Sequence, residues 1–239
     1  MLELRDIRKS YGPVKVLNGI TLSFNPGEIM SIVGPSGAGK TTLLQIAGTL
    51  DRPDSGEVFF NGRNLLSLKD KKLSEFRNLN LGFIFQFHQL LPEFSALENV
   101  ALPALIAGKR KKQAFAEAQK WLSELGLVHR LSHKPSELSG GEKQRTAIAR
   151  ALINHPSIVL ADEPTGSLDS HNRDEIKNII SDLREKYNQS FVIVTHDPEI
   201  ADIADRKVLM QDGLIVNDNP PELSSLQISD NNPDIPEVY

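Results

Sequence analysis

The chain of 239 residues contains no cysteine. Disulfides and cysteine-ligated metal centres are therefore excluded, which fits a cytosolic protein. Long apolar runs are missing as well, since the longest, such as IMSIV at 29–33, have the length of buried strands. A helix that spans a bilayer needs roughly 20 apolar residues. Any membrane role is therefore expected to come through a partner protein.

Excess positive charge is absent too. The formal net charge is −4, so nothing indicates broad electrostatic attraction to nucleic acid, and we predict no nucleic-acid partner. The amino-terminal segment MLELRDIRKSYG is charged and has no apolar core of the kind found in signal peptides. With 39% hydrophobic and 24% charged residues, the composition is that of an ordinary globular protein with a sizeable core.

Apolar patterning predicts an α/β fold with a mostly parallel sheet. The first segment alternates like a half-exposed strand, and residues 14–24 indicate a second strand with a turn at Asn18-Gly19. EIMSIV at 28–33 is a continuous apolar run that predicts a central strand covered on both faces, and residues 41–50 have helical spacing. Further strands are predicted at 158–163, 191–197 and 206–216.

A helix-rich insert interrupts this core at about residues 91–155. We therefore predict one domain over residues 1–218, with a core at 1–90 and 156–218 and the helical insert between them. Residues 219–239 hold four prolines and no Lys or Arg, which predicts a disordered acidic tail. Within the insert, segment 111–126 places five apolar side chains on one helical face, Ala114, Ala118, Trp121, Leu122 and Leu125.

GPSGAGKT at 34–41 matches the phosphate-loop pattern G-x-x-x-x-G-K-[ST] between a predicted strand and a predicted helix. Its glycines let backbone N–H groups wrap around phosphates. Lys40 is expected to reach the β- and γ-phosphates, the Thr41 hydroxyl to face Mg²⁺, and Thr42 to lie near the α-phosphate. The spacing excludes a dinucleotide-binding fingerprint. The predicted nucleotide-binding loop consists of Gly34, Pro35, Ser36, Gly37, Ala38, Gly39, Lys40, Thr41 and Thr42.

Two adjacent acids, Asp162 and Glu163, end the apolar run in IVLADEPTGSLD at 158–169. Asp162 at a strand end fits the carboxylate that holds Mg²⁺ beside a phosphate loop. Glu163 then projects near the γ-phosphate, where it can orient or deprotonate a water, as a hydrolase requires. His196 ends another predicted strand. Such a histidine is more often inert, so its position alone leaves open whether it donates to the γ-phosphate.

A second phosphate-binding helix start is indicated by ELSGGEKQ at 137–144. Ser139 and Glu142 have the spacing of a capping box, and the adjacent glycines, Gly140 and Gly141, open a helix whose first N–H groups are bare. Taken alone, the segment is a capping box with an extra glycine. Its presence a hundred residues after the phosphate loop raises the question of which phosphate it serves.

Together these motifs resemble those of the ATP-binding cassette (ABC) ATPases. ELSGGEKQ is similar to the family signature LSGGQ, with Glu142 where many members have Gln, and the family's other motifs occur in order over about residues 1–218. The resemblance implies the P-loop NTPase core of this family: a mostly parallel sheet, an antiparallel β subdomain and an inserted α-helical subdomain. It also implies hydrolysis of ATP with Mg²⁺.

The resemblance also assigns roles to single residues. Tyr11 is similar to the aromatic residue that stacks on adenine, and Val16 to the apolar residue beside it. Gln86 is similar to the Q-loop glutamine, which implies a Mg²⁺ ligand alongside Thr41 and Asp162. The implied catalytic set is Glu163, His196, Lys40 and Gln86. In a head-to-tail dimer, ATP bound by one copy would be contacted by the other copy's Ser139, Gly140, Gly141 and Asp169.

A narrower resemblance, to the ATPases of lipoprotein-releasing transporters, is carried by GFIFQFHQLLPEFSALENVALP at 82–103. It implies a peripheral subunit on the cytoplasmic face of the inner membrane that powers lipoprotein release through integral membrane permease subunits. The related macrolide-exporter and cell-division ATPases leave an alternative open, a mechanotransmission ATPase without lipoprotein cargo. Some members of one apolar set are expected to line a groove for a permease helix: Phe83, Phe85, Phe87, Leu90, Leu91 and Phe94.

Overall fold

The structure, a computed structural model, describes residues 2–219. The strands are β1 (Leu2–Tyr11), β2 (Val14–Phe24), β3 (Ile29–Val33), β4 (Ser55–Phe60), β5 (Arg63–Asn64), β6 (Leu81–Phe85), β7 (Ile158–Asp162), β8 (Ser190–Val194), β9 (Arg206–Gln211) and β10 (Leu214–Asn219). The helices are α1 (Lys40–Ala47), α2 (Asp70–Asn80), α3 (Ala96–Ile106), α4 (Lys111–Glu124), α5 (Gly140–Leu152), α6 (Ser170–Tyr187) and α7 (Pro198–Asp202).

Two sheets organise the described residues. An antiparallel sheet has the order β2–β1–β4–β5, and a six-stranded sheet has the order β10–β9–β3–β8–β7–β6. In the larger sheet all neighbours are parallel except the β9–β10 pair. The predicted fold class is therefore confirmed, including the antiparallel subdomain that the family resemblance implied.

The larger sheet is covered on both faces because side chains alternate along its strands. Ile29, Val159 and Ile193 pack with the helices of the insert and with α6. Their chain neighbours Met30, Leu160 and Val192 pack with α1 and the antiparallel sheet on the opposite face. The continuous apolar runs in the sequence reflect this burial on both faces.

The insert is helical, as its composition predicts. Helices α3, α4 and α5 lie between β6 and β7 in the chain, and the five predicted apolar side chains of segment 111–126 are all buried. The boundaries of 91–155 stay a prediction. Helix α2 was not predicted. It buries only Leu73, so few of its side chains contribute to an apolar pattern that would indicate a helix. None of the helices within residues 2–219 is both long and apolar enough to cross a membrane.

Two local predictions are wrong. Asn18-Gly19 forms no turn: strand β2 continues through it, and Gly19 is a β-bulge, since Ile20 pairs with Ile7 and Asn18 with Arg8. Residues 206–216 are not a single strand, because a hairpin at Asp212-Gly213 separates β9 from β10. The predicted tail lies outside the described residues except for residue 219, which ends β10.

Candidate active site

The phosphate loop follows β3 and ends where α1 begins, at Lys40. Gly34 has a φ of 149°, and a Cβ there would lie 2.1 Å from the carbonyl oxygen of Met210 in β9. Only glycine lets the loop leave the sheet this close to its neighbour. The loop is also fastened to the β9–β10 hairpin, since the Gly213 N–H donates to the Ala38 carbonyl at 3.2 Å.

Lys40 is almost fully buried, and its ammonium group lies over the loop. Its Nζ donates to the carbonyl oxygens of Gly34, at 2.8 Å, and Pro35, at 3.0 Å. Both acceptors belong to the loop that is expected to wrap around phosphates. The ammonium group therefore already lies at the predicted phosphate-binding loop. Its acceptors are neutral carbonyls, and an anionic phosphate can replace them because it accepts a stronger hydrogen bond from a cation.

Thr41 and Asp162, two of the three predicted Mg²⁺ ligands, meet at the carboxyl edge of the sheet. The Thr41 hydroxyl donates to Asp162 Oδ1 at 3.1 Å. Burial raises the pKa of Asp162, and the hydrogen bond from Thr41 opposes that rise. A hydroxyl and a carboxylate are the oxygen donors that Mg²⁺ prefers, so the side chains present here fit that ion.

Glu163 and His196 form a hydrogen-bonded pair at the ends of adjacent strands. The His196 Nδ1 lies 2.8 Å from Glu163 Oε1, and Glu163 has a left-handed backbone with a φ of 48°. Its N–H donates to the Val194 carbonyl, and its carbonyl accepts from the Gly166 N–H. These bonds hold a backbone conformation that costs roughly 1–3 kcal/mol for a residue other than glycine, and they aim the carboxylate out of the strand.

Gln86 joins this group from the neighbouring strand. It follows β6, whose last residue, Phe85, pairs with Asp162. The Ser167 hydroxyl donates to the Gln86 carbonyl at 3.1 Å, and the Gln86 amide lies against Gly166. Lys40, Thr41, Gln86, Asp162, Glu163 and His196 thus share one edge of the sheet, although 156 positions separate the first from the last.

The predicted adenine-binding residues lie on the antiparallel-sheet side of the loop. Val16 contacts the loop through its carbonyl oxygen, which is 2.8 Å from where a Gly39 Cβ would be. The Tyr11 hydroxyl donates to Asp51 at 2.6 Å, and Lys9 donates to the same carboxylate at 2.9 Å. Burial acts to raise the pKa of Asp51, but the two hydrogen bonds outweigh it and the pKa is lowered. These bonds hold the Tyr11 side chain in place, and the residue stays 49% exposed.

The second predicted phosphate-binding helix start is formed as the capping box indicates. Ser139 Oγ accepts from the Glu142 N–H at 3.2 Å, and Glu142 accepts from the Ser139 N–H at 2.8 Å. The remaining Glu142 oxygen accepts from Arg130 Nε at 2.7 Å. The Ser139 N–H and the Arg130 guanidinium together lower the pKa of Glu142 to about 2.

This helix start is not hydrogen-bonded to the phosphate loop of its own chain within the part of the chain that the structure describes. Within residues 2–219, the N–H groups of Gly140 and Gly141 make no hydrogen bond, and no hydrogen bond joins residues 139–141 to residues 34–42. Their neighbours are instead Leu168 and Asn172, at the start of α6. Asp169, predicted to contact the partner's ATP, is the N-cap of that helix.

Three residues that support the site were not predicted. Asp51 and Arg130 are remote in sequence from the groups they hold, so no spacing indicates them. Arg150 donates to the carbonyls of His88 and Gln89, at 2.8 and 2.5 Å, and both acceptors have positive φ angles. The sequence shows that Arg150 lies on the helix that begins at Gly140, but it does not show which carbonyl groups the side chain reaches.

An apolar cavity of about 400 Å³ lies between α2, β6, α3 and α5. Of the six apolar residues predicted for a groove, Phe83 and Phe85 line it, with their rings stacked at 6.0 Å. Phe87 does not line the cavity, but it is 76% exposed. The exposed Leu50 and Ile106 also line the cavity.

A family model described as ABC transporter matches residues 17–166. The chain belongs to the ABC transporter family. As an ABC ATPase it binds and hydrolyses ATP, and the predicted family is confirmed.

Curated relatives place this ABC ATPase more narrowly. A lipoprotein-releasing system ATP-binding protein, LolD, from Bacteroides thetaiotaomicron is 60% identical over 218 residues, covering 91% of this chain and 100% of the relative. LolD from Bacteroides fragilis is 59% identical over 216 residues, covering 90% and 100%. LolD from Cytophaga hutchinsonii is 56% identical over 216 residues, covering 90% and 99%. The narrower resemblance to lipoprotein-releasing ATPases is confirmed as well.

Solved structures agree with the fold of the ABC ATPase. A dimeric ATP-binding cassette in a post-hydrolysis state, bound to ADP and Pi, has a TM-score of 0.85 at 37% identity and covers 92% of this chain and 98% of its own. A dimeric bacterial ABC transporter cassette has a TM-score of 0.86 at 37% identity, with the same coverage. Both structures are of dimers.

Proposed function

We propose that the chain is the ATP-hydrolysing subunit of a transporter that releases lipoproteins from the inner membrane through partner transmembrane subunits. The observation that carries the proposal is the 60% identity to LolD over the relative's whole length. The site geometry is consistent with that activity, because all the groups predicted for ATP hydrolysis share one edge of the sheet.

ATP would bind across the junction of the two sheets. Adenine would stack on Tyr11 beside Val16, and the phosphates would lie in the loop. Lys40 would exchange its carbonyl acceptors, Gly34 and Pro35, for the β- and γ-phosphates. Because this side chain is already buried over the loop, little conformational entropy is lost when the phosphates arrive.

Thr41, Gln86 and Asp162 would hold Mg²⁺, which when bound supplies charge neutralisation at the phosphates. Glu163 would then orient a water and accept its proton as the water attacks the γ-phosphorus, and the bond from that phosphorus to the bridging oxygen would break to release ADP. His196 would shift its hydrogen bond from Glu163 toward a γ-phosphate oxygen, which stabilises the charge on the transferring group. The 2.8 Å contact between His196 Nδ1 and Glu163 Oε1 supports these roles, because it brings the two side chains together at the ends of adjacent strands.

The working unit would be a head-to-tail dimer of this chain. The bare N–H groups of Gly140 and Gly141 and the hydroxyl of Ser139 would contact the γ-phosphate bound by the other copy, with Asp169 alongside. Support comes from two sides: these groups make no bond to their own phosphate loop within residues 2–219, and the similar solved cassettes are dimers. Closure would complete the site and hydrolysis would reopen it.

Permease subunits would dock at the cavity lined by Phe83 and Phe85, on the cytoplasmic face of the inner membrane. A cavity of this size with an apolar lining fits one face of an amphipathic helix. The insert at about 91–155 would move as a subdomain relative to the core. Gln86, which follows the cavity-lining Phe85 in the chain and lies at the catalytic edge, would carry that motion between them.

Reconstitution tests the proposal. The chain is copurified with the permease subunits encoded beside it and placed in vesicles that carry a lipoprotein. We expect ATP-dependent release of the lipoprotein, and none with the Glu163→Gln subunit. An intact complex that hydrolyses ATP without releasing lipoprotein would instead support a mechanotransmission ATPase.

A further inference from the structure

The start of α6 packs against the start of α5 through one side chain, that of Asn172. Its Nδ2 donates to both carboxylate oxygens of Asp169, at 2.9 and 2.8 Å. Asp169 in turn accepts from the Asn172 backbone N–H at 2.9 Å. The amide of Asn172 is thereby held in one orientation, with its oxygen turned toward α5.

Gly141 in α5 abuts this amide. A Cβ at Gly141 would lie 1.8 Å from Asn172 Oδ1 and 2.6 Å from its Cγ, and all three of its nearest atoms would belong to Asn172. The backbone of Gly141 is ordinary helix, so no positive φ requires a glycine there. Within its own chain, glycine is required at 141 because Asn172 occupies the space of a side chain.

One turn further along, the same two helices are joined again. Arg145 in α5 forms an ion pair with Glu175 in α6. The contacts 141–172 and 145–175 advance in the same direction, so α5 and α6 start side by side and point the same way. Both helix N-termini, with their bare N–H groups, therefore face the same side of the molecule.

We propose that Asn172 is a positioning residue that fixes the Asp169 carboxylate to the glycines of the signature, so that both elements move toward the partner's ATP as one unit. The proposal rests on the shared-site function argued above and extends it. Asn172 acts through Asp169 and Gly141 and need not touch nucleotide itself. Gly141→Ala would then impair turnover by pushing the Asn172 amide off Asp169.

A double-mutant cycle on the full chain tests this coupling. Loss of a hydrogen bond to a charged group costs roughly tenfold in rate, so we expect Gly141→Ala and Asn172→Ala each to lower kcat about tenfold. ATP affinity of the monomer should not change. The double variant should also lose about tenfold, because the Asn172 Cβ would be 3.3 Å from the new Cβ and a small shift accommodates it. A loss of about 100-fold in the double variant would show that the two residues act independently, and would overturn the proposal.

Asn172→Asp is the second variant, since it keeps the shape of the side chain but replaces the donor by a carboxylate facing Asp169. A folded Asn172→Asp protein with wild-type kcat would overturn the proposal even if Asn172→Ala did not fold. Asp174→Asn on the same helix is the matched control, because among residues 2–219 this exposed carboxylate pairs only with Lys177, on its own helix. It should keep wild-type kcat, and melting temperatures of all variants exclude general unfolding.

The Glu163→Gln background separates this inference from the shared-site function. Light scattering with ATP should show a dimer for Glu163→Gln, and the added Asn172→Ala change should raise the ATP concentration needed for dimer formation about tenfold. If Glu163→Gln stays monomeric at saturating ATP, the shared site itself fails and the coupling fails with it. If Glu163→Gln dimerises and Asn172→Ala changes neither the midpoint nor kcat, only the coupling is wrong.

Discussion

His196 and Glu163 face each other across two neighbouring strands, with Nδ1 and Oε1 at 2.8 Å. Glu163 also accepts weakly from the Thr195 hydroxyl and the His196 N–H, both at 3.4 Å. The carboxylate that we propose as the base is therefore held by groups of one strand end. A substitution at Glu163 can therefore remove the charge of this side chain, and a substitution at His196 can remove one of the groups that hold it. Each change leads to its own prediction.

Replacing Glu163 by Gln should leave ATP binding intact and slow hydrolysis by about 10²–10⁴-fold, the range expected for loss of a general base. The amide keeps the size of the side chain and can still accept from His196. We expect the variant to accumulate as an ATP-bound dimer, detected by light scattering. Normal turnover would show that Glu163 is not the base.

His196→Ala should lower kcat by about 100-fold, as does removal of one donor to a developing oxyanion. It should leave the monomer's affinity for ADP within a few-fold of wild type, because the imidazole is 70% exposed and is expected to contact only the γ-phosphate, which ADP lacks. Single-turnover hydrolysis and ADP binding measure the two effects. An equal loss in ADP affinity would place His196 in nucleotide binding instead.

Thr41→Val keeps the shape of the side chain and removes the hydroxyl that donates to Asp162. We expect the Mg²⁺ concentration for half-maximal ATPase activity to rise about tenfold or more, the effect of losing one interaction with a charged group. Thr42→Val is the matched comparison, because it is the same substitution at the next residue and the hydrogen bond to Asp162 comes from Thr41. An unchanged Mg²⁺ requirement in Thr41→Val would remove Thr41 from the proposed ligand set.

Glu142→Gln restores the residue that many ABC signatures carry, yet it should destabilise this chain by about 1 kcal/mol at pH 7, a value reduced because the partner Arg130 is partly exposed. The pKa of Glu142 is lowered from 4.5 to about 2, so its stabilisation is fully present above about pH 4.5 and is lost as the pH falls toward 2. Wild type and variant should therefore converge in urea unfolding between these pH values. A difference that persists at pH 2 would contradict the ion pair.

Phe87→Arg should prevent copurification with the permease subunits while leaving the ATPase activity of the isolated chain unchanged. The side chain is 76% exposed next to the cavity and contributes little to the core. Val216→Arg, at an exposed position on β10, is the matched control and should copurify normally. Copurification of Phe87→Arg at the wild-type level would place the docking surface elsewhere.

Much of the fold follows from local patterns. The apolar runs before Gly34 and Asp162 predict buried parallel strands, and helical spacing predicts α4, because in each the period of the side chains matches one structure. Local patterns mislead where pairing or packing with other segments overrides them, or where an element buries few side chains. Asn18-Gly19 is a typical turn signal, yet β2 continues through it because both flanking halves pair with β1, and α2 is missed because it buries so little.

By itself the sequence determined which chemical groups this protein carries: a phosphate loop, adjacent acids, and a second helix start with bare N–H groups, which we propose binds a phosphate held by a second copy. These features depend on residue type and on short spacings, both of which are present in the sequence itself. Only the tertiary structure decided which side chains meet. Asn172 reaches Gly141, Tyr11 reaches Asp51 and Arg130 reaches Glu142 because packing of sheet and helices brings remote segments together. No periodicity within one segment encodes such a partner, since the choice depends on how separate elements are stacked.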